Sequence, residues 1–162
     1  MLWWTLRRLQ SRVTSPDYRE RLSAVQSLAG LPDRRGVEFL RRALNDADPD
    51  VTQAAIAGLT TLGASGAAPD VVPLLLDDRE DVRRSAREAL HALDPAWTAT
   101  AAARDLIPLL AERSIGADEG KRRWALDLLD RIDVGWKTGA QTAQAARQVV
   151  PFLTDLPPSA LG

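Results

Sequence analysis

Apolar residues in this chain return at intervals of three and four, the rhythm of one helix face rather than the period of two that marks a strand. The segments ERLSAVQSLAGL from Glu20, VTQAAIAGLTTL from Val51 and VRRSAREALHAL from Val82 align with an offset of 31 residues both times. Ala24, Ala55 and Ala86 fall in one column, Leu28, Leu59 and Leu90 in a second, and Leu31, Leu62 and Leu93 in a third. Each segment therefore predicts an amphipathic helix, with alanine where a neighbour must come close and leucine where the gap is wider. KRRWALDLLDRI from Lys121 is a fourth, less regular copy, in which Ala125, Leu129 and Ile132 take the three columns after a spacing of 39. The extra residues fall in ERSIGADEG, which its glycines and charges mark as a loop.

Between these helices run second apolar segments, GVEFLRRALND, APDVVPLLLDD, ARDLIPLLAE and AARQVVPFLTD, so each repeat reads as a helical hairpin. Three of the four centre on a proline: Pro73, Pro108 and Pro151. Proline inside a helix removes a backbone bond and clashes with the preceding turn, costing about 3 kcal/mol, but it is accommodated in the first turn. Pro73 fits a first-turn position capped by Asp70, whereas Pro151 lies deep in TGAQTAQAARQVVPFL and predicts a kink or break close to Val150. Aspartates at the joints, Asp46, Asp48, Asp77 and Asp78, suit helix N-termini, where a carboxylate accepts backbone N–H bonds and faces the positive end of the dipole. At the start of the chain, MLWWTLRRLQ projects Leu2, Leu6, Leu9 and, just beyond it, Val13 onto one face, which predicts a helix capping the first repeat with Trp3 bordering its stripe. Trp4 projects nearly opposite, one turn before Arg8 and within reach of a cation–π contact with it.

The repeats resemble the short HEAT-like repeats first associated with phycobilisome lyases. The third copy, DDREDVRRSAREALHAL, is most similar, with Asp81, Val82 and Arg83 at the characteristic positions; the second copy has Thr52 where arginine is usual, and the first has Glu20 where valine is usual. These departures imply a weakened form of the aspartate–arginine ladder that runs between repeats in that family. The resemblance implies an all-α, right-handed α-solenoid of about four helical hairpins plus an N-terminal capping helix. As one domain over residues 1–162, it would hold the capping helix at 1–14 and hairpins at 17–46, 48–77, 79–113 and 118–156. The family includes adaptors, chromophore-lyase subunits, alkylpurine DNA glycosylases and a metal-dependent hydroxylase, so the fold alone does not choose a function.

Composition narrows these options. The chain lacks cysteine and has one histidine, His91, which excludes disulfides, thiolate chemistry and any two-histidine metal site, including the hydroxylase's. No run approaches the roughly 20 apolar residues of a membrane span, and Arg7 and Arg8 interrupt the apolar start, so a soluble cytoplasmic protein without membrane insertion is expected. With 21 basic and 22 acidic residues the net charge is −1. Charge is distributed unevenly: residues 1–46 hold 9 basic and 5 acidic groups (+4), 47–81 hold 1 and 7 (−6), and 82–162 hold 11 and 10 (+1). The acidic middle breaks any continuous phosphate track and argues against nucleic acid.

No nucleophile, base and oxyanion set is present, and no metal or cofactor is expected. His91 falls off the leucine stripe, on the surface. The tryptophans Trp3, Trp4, Trp97, Trp124 and Trp136 fit gap-filling between unequal repeats as well as they fit the cleft of a glycosylase. The expected role is a non-catalytic protein-interaction scaffold; the alternative is a subunit of a bilin-lyase-like enzyme or a nucleic-acid-binding relative of the glycosylases. If the second helices line the concave face, Arg41, Arg42, Arg104 and Arg147 are the binding residues, suited to a protein partner with an acidic or amphipathic segment. Trp4, Arg7 and Arg8 form a candidate second surface.

Overall fold

The computed structural model describes residues 8–9, 11–31, 34–116 and 118–132, in which every regular element is helical. The chain divides into two compact units, residues 1–97 and 98–162. In the first unit, residues 8–9 and 11–13 are helical, with Leu9 buried and Val13 half-buried as the capping stripe requires. There follow α1 (Tyr18–Ala29), α2 (Arg34–Ala43), α3 (Pro49–Thr61), the single turn α4 (Ala68–Val71) and α5 (Glu80–Leu93). α1 packs along α3 and α3 along α5, while α2 packs against both α1 and α3. This is a stack of helical hairpins. The alanine column (Ala24, Ala55, Ala86) and first leucine column (Leu28, Leu59, Leu90) are wholly buried, removing these side chains from water at roughly 25 cal/mol per Å². Leu31 and Leu62 are only half-buried, because Gly30 already caps α1 and Leu62 is itself the cap of α3; in the longer α5, Leu93 is still helical and buried.

Close approach within the stack depends on Gly58. A Cβ there would stand 2.9 Å from that of Ala29 and 3.1 Å from Leu40 Cδ1, so any side chain would push the hairpins apart. The turn after α3 is made by Gly63 at φ 59°, a conformation that side-chain-bearing residues resist.

The second segment of the second repeat is not one helix. Pro69 lies in the first turn of α4, and Pro73, four residues on, cannot supply the next helical N–H and crowds the preceding turn, so the chain tightens into a 3-10 segment, Val72–Leu76. Pro73 does occupy a first turn, but Asp70 caps nothing: its carboxylate turns to Arg41 Nε at 2.8 Å. In the second unit, Thr100 caps α6 (Ala101–Arg104), Pro108 opens α7 (Ile107–Arg113), and α7 packs on α8 (Glu119–Ile132) through buried Leu110, Ala111, Ala125, Leu128 and Leu129. Ala125 and Leu129 are the predicted columns of the fourth copy. Leu2, Trp3, Leu6, Trp136 and the expected break near Pro151 lie outside the described residues.

The joints between hairpins repeat at the level of single atoms. Ser15 Oγ, Asp46 Oδ1 and Asp77 Oδ1, spaced by 31, each accept the backbone N–H two residues on. Asp17 and Asp48 then cap α1 and α3. In the same register, Arg21, Thr52 and Arg83 reach back to the turn's carbonyls. Arg21 donates to Ser15 O and Pro16 O at 2.8 and 3.1 Å, Thr52 to Asp46 O and Asp48 O at 3.1 and 3.2 Å, and Arg83 to Asp77 O and Asp78 O at 2.9 Å each.

The ladder expected to weaken at Thr52 is restored from the other side. In the first joint Arg21 holds Asp46 through two bonds of 2.8 and 2.9 Å. Thr52 cannot do this for the equivalent Asp77. Arg79 does it instead, with two bonds of 2.8 Å to Asp77 and one of 3.2 Å to Ala47 O, the counterpart of Pro16 O. Arg79 stands where Asp17 and Asp48 stand in the other copies, so α5 has no side-chain cap. Its first turn carries Glu80 and Asp81, which face the positive end of the helix dipole.

Candidate interaction surfaces

The layer of first helices carries an open groove of about 700 Å³. Its floor is α3, where exposed Ala57 and half-buried Ala54 leave the helix surface low, with Leu22 of α1 and buried Ala89 of α5 as apolar flanks. Around that floor stand the carboxamides of Gln26 and Gln53 and the carboxylates of Asp50 and Glu88. None of these four side chains has a hydrogen-bond or ionic partner among the described residues. Thr60 and Thr61 also line the groove, but their hydroxyls return to the carbonyls of Ile56 and Ala57 at 2.9 Å each. What the groove offers is therefore amide and carboxylate chemistry over a small apolar base.

The second segments present the opposite condition. Arg41 of α2 pairs with Asp70 of α4 and approaches Glu38 at 3.9 Å, and the Asp70 carboxylate raises the guanidinium's already high pKa. Arg42 pairs with Glu38 at 3.4 Å and stacks over the Phe39 ring at 6.0 Å. Arg41 is thus a rung between successive repeats, whereas Arg42 keeps 65 % of its side chain exposed. It borders a second groove of about 570 Å³ with Val13, Thr14, Phe39 and Asn45. Arg104 lies in the second unit, exposed, with Nη2 donating to Ala99 O at 2.7 Å. Arg147, Trp4 and Arg7 lie outside the described residues; Arg8 is exposed. Of the seven residues singled out in the sequence, the structure brings Arg41 and Arg42 together on α2. Sequence reasoning passed over Gln26, Gln53, Asp50 and Glu88. A signal for two of them was present, since Gln26 and Glu88 share one 31-residue column with Ala57 on the polar side of the helix stripe.

Two other candidates are structural. Trp97 is wholly buried and meets exposed His91 edge-on, ring centroids 6.1 Å apart, so this tryptophan fills the core. Trp124 is half-buried on α8. Among the described residues, no group of three histidine or acidic side chains is placed to hold a metal ion, and no helix is long and apolar enough to cross a membrane.

Residues 6–91 match the family described as HEAT repeats. No curated protein matches the chain. Two crystal structures of engineered proteins are similar to it. One is 19% identical with a TM-score of 0.47, over 91% of this chain and 71% of its own; the other is 20% identical with a TM-score of 0.46, over 96% of this chain and 44% of its own. The chain spans less than half the length of the second.

Proposed function

The chain belongs to the HEAT-repeat family, and we propose that it is a non-catalytic scaffold that binds another protein through the groove over α1, α3 and α5. The observation that carries this reading is the contrast in how polar groups are used. On the second segments Arg41 and Arg42 already meet carboxylates, while four hydrogen-bonding side chains around the α3 floor meet none. Polar groups left without partners beside an apolar strip can bind another molecule without first breaking internal bonds. Nucleic acid fits poorly: the groove's charges are carboxylates, and Arg21, Arg41 and Arg79 are held by Asp46, Asp70 and Asp77. The scaffold would work in the cytoplasm without a cofactor.

Ala57→Trp tests the reading. Ala57 is exposed, so the indole fills the groove without entering the core. Loss of partner capture from the native host by the substituted protein, at an unchanged unfolding midpoint, is expected; capture at wild-type yield would refute the groove. A second surface is favoured by Arg42, exposed on Phe39 beside the smaller groove, which suits an acidic segment. Arg42→Glu should abolish any capture that survives Ala57→Trp. If Arg42→Glu leaves that capture intact, Arg42 and the smaller groove beside it are not a binding surface.

A further inference from the structure

We infer that the α1–α3–α5 groove takes an extended, basic polypeptide segment, one in which lysine or arginine alternates with small residues; this rests on the groove reading above and specifies its occupant. The argument starts from the middle of the chain, where residues 47–81 carry 7 acidic groups against 1 basic. Most of these acids have local work. Asp48 caps α3, Asp70 pairs with Arg41, Asp77 with Arg79, and Asp81 with Arg84 at 3.1 Å. Asp50, in the first turn of α3, pairs with no side chain among the described residues, nor does Glu88 just beyond, and both border the groove. Two carboxylates without a cationic partner, Asp50 and Glu88, thus stand around one depression, which favours a cation there.

The carboxamides decide the conformation of that cation's chain. Gln26 and Gln53 each offer one acceptor and two donors. A partner helix has its backbone N–H and C=O groups satisfied internally and would leave both carboxamides without main-chain partners. An extended segment exposes one N–H and one C=O per residue and can bond to both. The low floor at Ala54 and Ala57 lets a backbone come close enough to do so. Alternation follows, because successive side chains of an extended chain point to opposite sides: small residues face the floor while basic ones reach the rim.

The test uses the full-length protein and three fluorescent ten-residue peptides: alternating Lys-Ala, alternating Glu-Ala, and Lys-Ala N-methylated at alternate peptide bonds. The expected result is measurable anisotropy binding of Lys-Ala only, weakened as ionic strength rises. Asp50→Asn/Glu88→Gln should lower its affinity at least roughly threefold, the scale of partly exposed charge pairs. Gln53→Ala should lower it with little change in salt dependence. Equal binding of Glu-Ala, equal binding of the N-methylated peptide, indifference to the double substitution, or no binding of Lys-Ala would each overturn the inference. The groove reading has a separate test: if Lys-Ala fails but Ala57→Trp still abolishes capture of the native partner, the groove stands and only this occupant is wrong.

Discussion

The first and second joints of the stack satisfy equivalent acceptors with guanidinium groups that arrive from opposite directions. At the first, Arg21 comes from the preceding helix α1 and spans Pro16 O and the Asp46 carboxylate. At the second, Arg79 comes from the turn entering the following helix α5 and spans Ala47 O and the Asp77 carboxylate. The acceptors recur every 31 residues, and the donor is exchangeable. Repeat geometry is therefore set by where the turn leaves carbonyls and carboxylates without backbone partners, and any cation that reaches them serves.

The largest effect should come from the register position shared by both joints. Arg83 is nearly buried, and both its bonds to the Asp77 and Asp78 carbonyls run through Nη1. Arg83→Met keeps the aliphatic stem but removes those charge-assisted bonds, and should lower unfolding free energy by about 2–3 kcal/mol. A loss below about 0.5 kcal/mol in urea titration would mean that water replaces the guanidinium, and the joint would not depend on it. Thr52→Val, its neutral counterpart in the second copy, removes a single hydroxyl shared by two carbonyls and should cost about 1 kcal/mol by the same measurement.

A smaller and pH-dependent effect distinguishes the carboxylates. Burial alone would raise the Asp46 carboxyl, but the Arg21 guanidinium and the Asp48 N–H outweigh it and hold it below the usual range. Asp77 is held low chiefly by the Arg79 guanidinium, against the opposing effect of burial and with help from the Arg79 backbone N–H, which donates to the carboxylate. Each group is more acidic folded than unfolded, so its stabilisation is complete above the unfolded carboxylate range near about pH 4 and disappears as pH falls through the folded value. The gap in urea midpoint between wild type and Asp46→Asn should accordingly narrow from pH 6 to pH 3. A constant gap would show that Asp46 acts by hydrogen bonding alone, and Asp77→Asn applies the same test to the second joint.

Helix phase was legible in the sequence because it depends on columns read within one repeat. Ala55, Leu59 and Val51 are buried for reasons visible in VTQAAIAGLTTL alone. The first-turn place of Pro73 was legible, though Asp70 shows the limit: a carboxylate three residues before a proline looks like a cap until Arg41 is seen to approach from another repeat. Contacts of that kind join residues 25 to 32 positions apart, as in Arg21–Asp46 and Arg79–Ala47 O, and no local pattern distinguishes them from solvated charge. The same property hid the groove. Gln26, Asp50 and Glu88 look like ordinary exposed polar residues one helix at a time, and only the stacking of three helices sets them around a common floor.

Exchanging the two joints' donors should produce the smallest net change and gives the sharpest reading of the comparison. Thr52→Arg with Arg79→Asp rebuilds the first joint's arrangement in the second: arginine at the position of Arg21, aspartate at the position of Asp48. The new arginine would take Ala47 O and Asp77, and the new aspartate would cap α5, which lacks a side-chain cap. A cap contributes about 1 kcal/mol, close to what loss of the Thr52 hydroxyl costs, so the double variant should lie within about 0.5 kcal/mol of wild type. Each single substitution should lose more. Arg79→Asp alone sets a second carboxylate beside Asp77 with no cation, and Thr52→Arg alone places two guanidinium groups on one set of acceptors. Strong positive coupling in the double-mutant cycle would establish that positions 52 and 79 are alternative places for the second joint's donor, the first of them being the place Arg21 takes in the first joint. Simple additivity would mean that the two joints are unrelated contacts that happen to share a register.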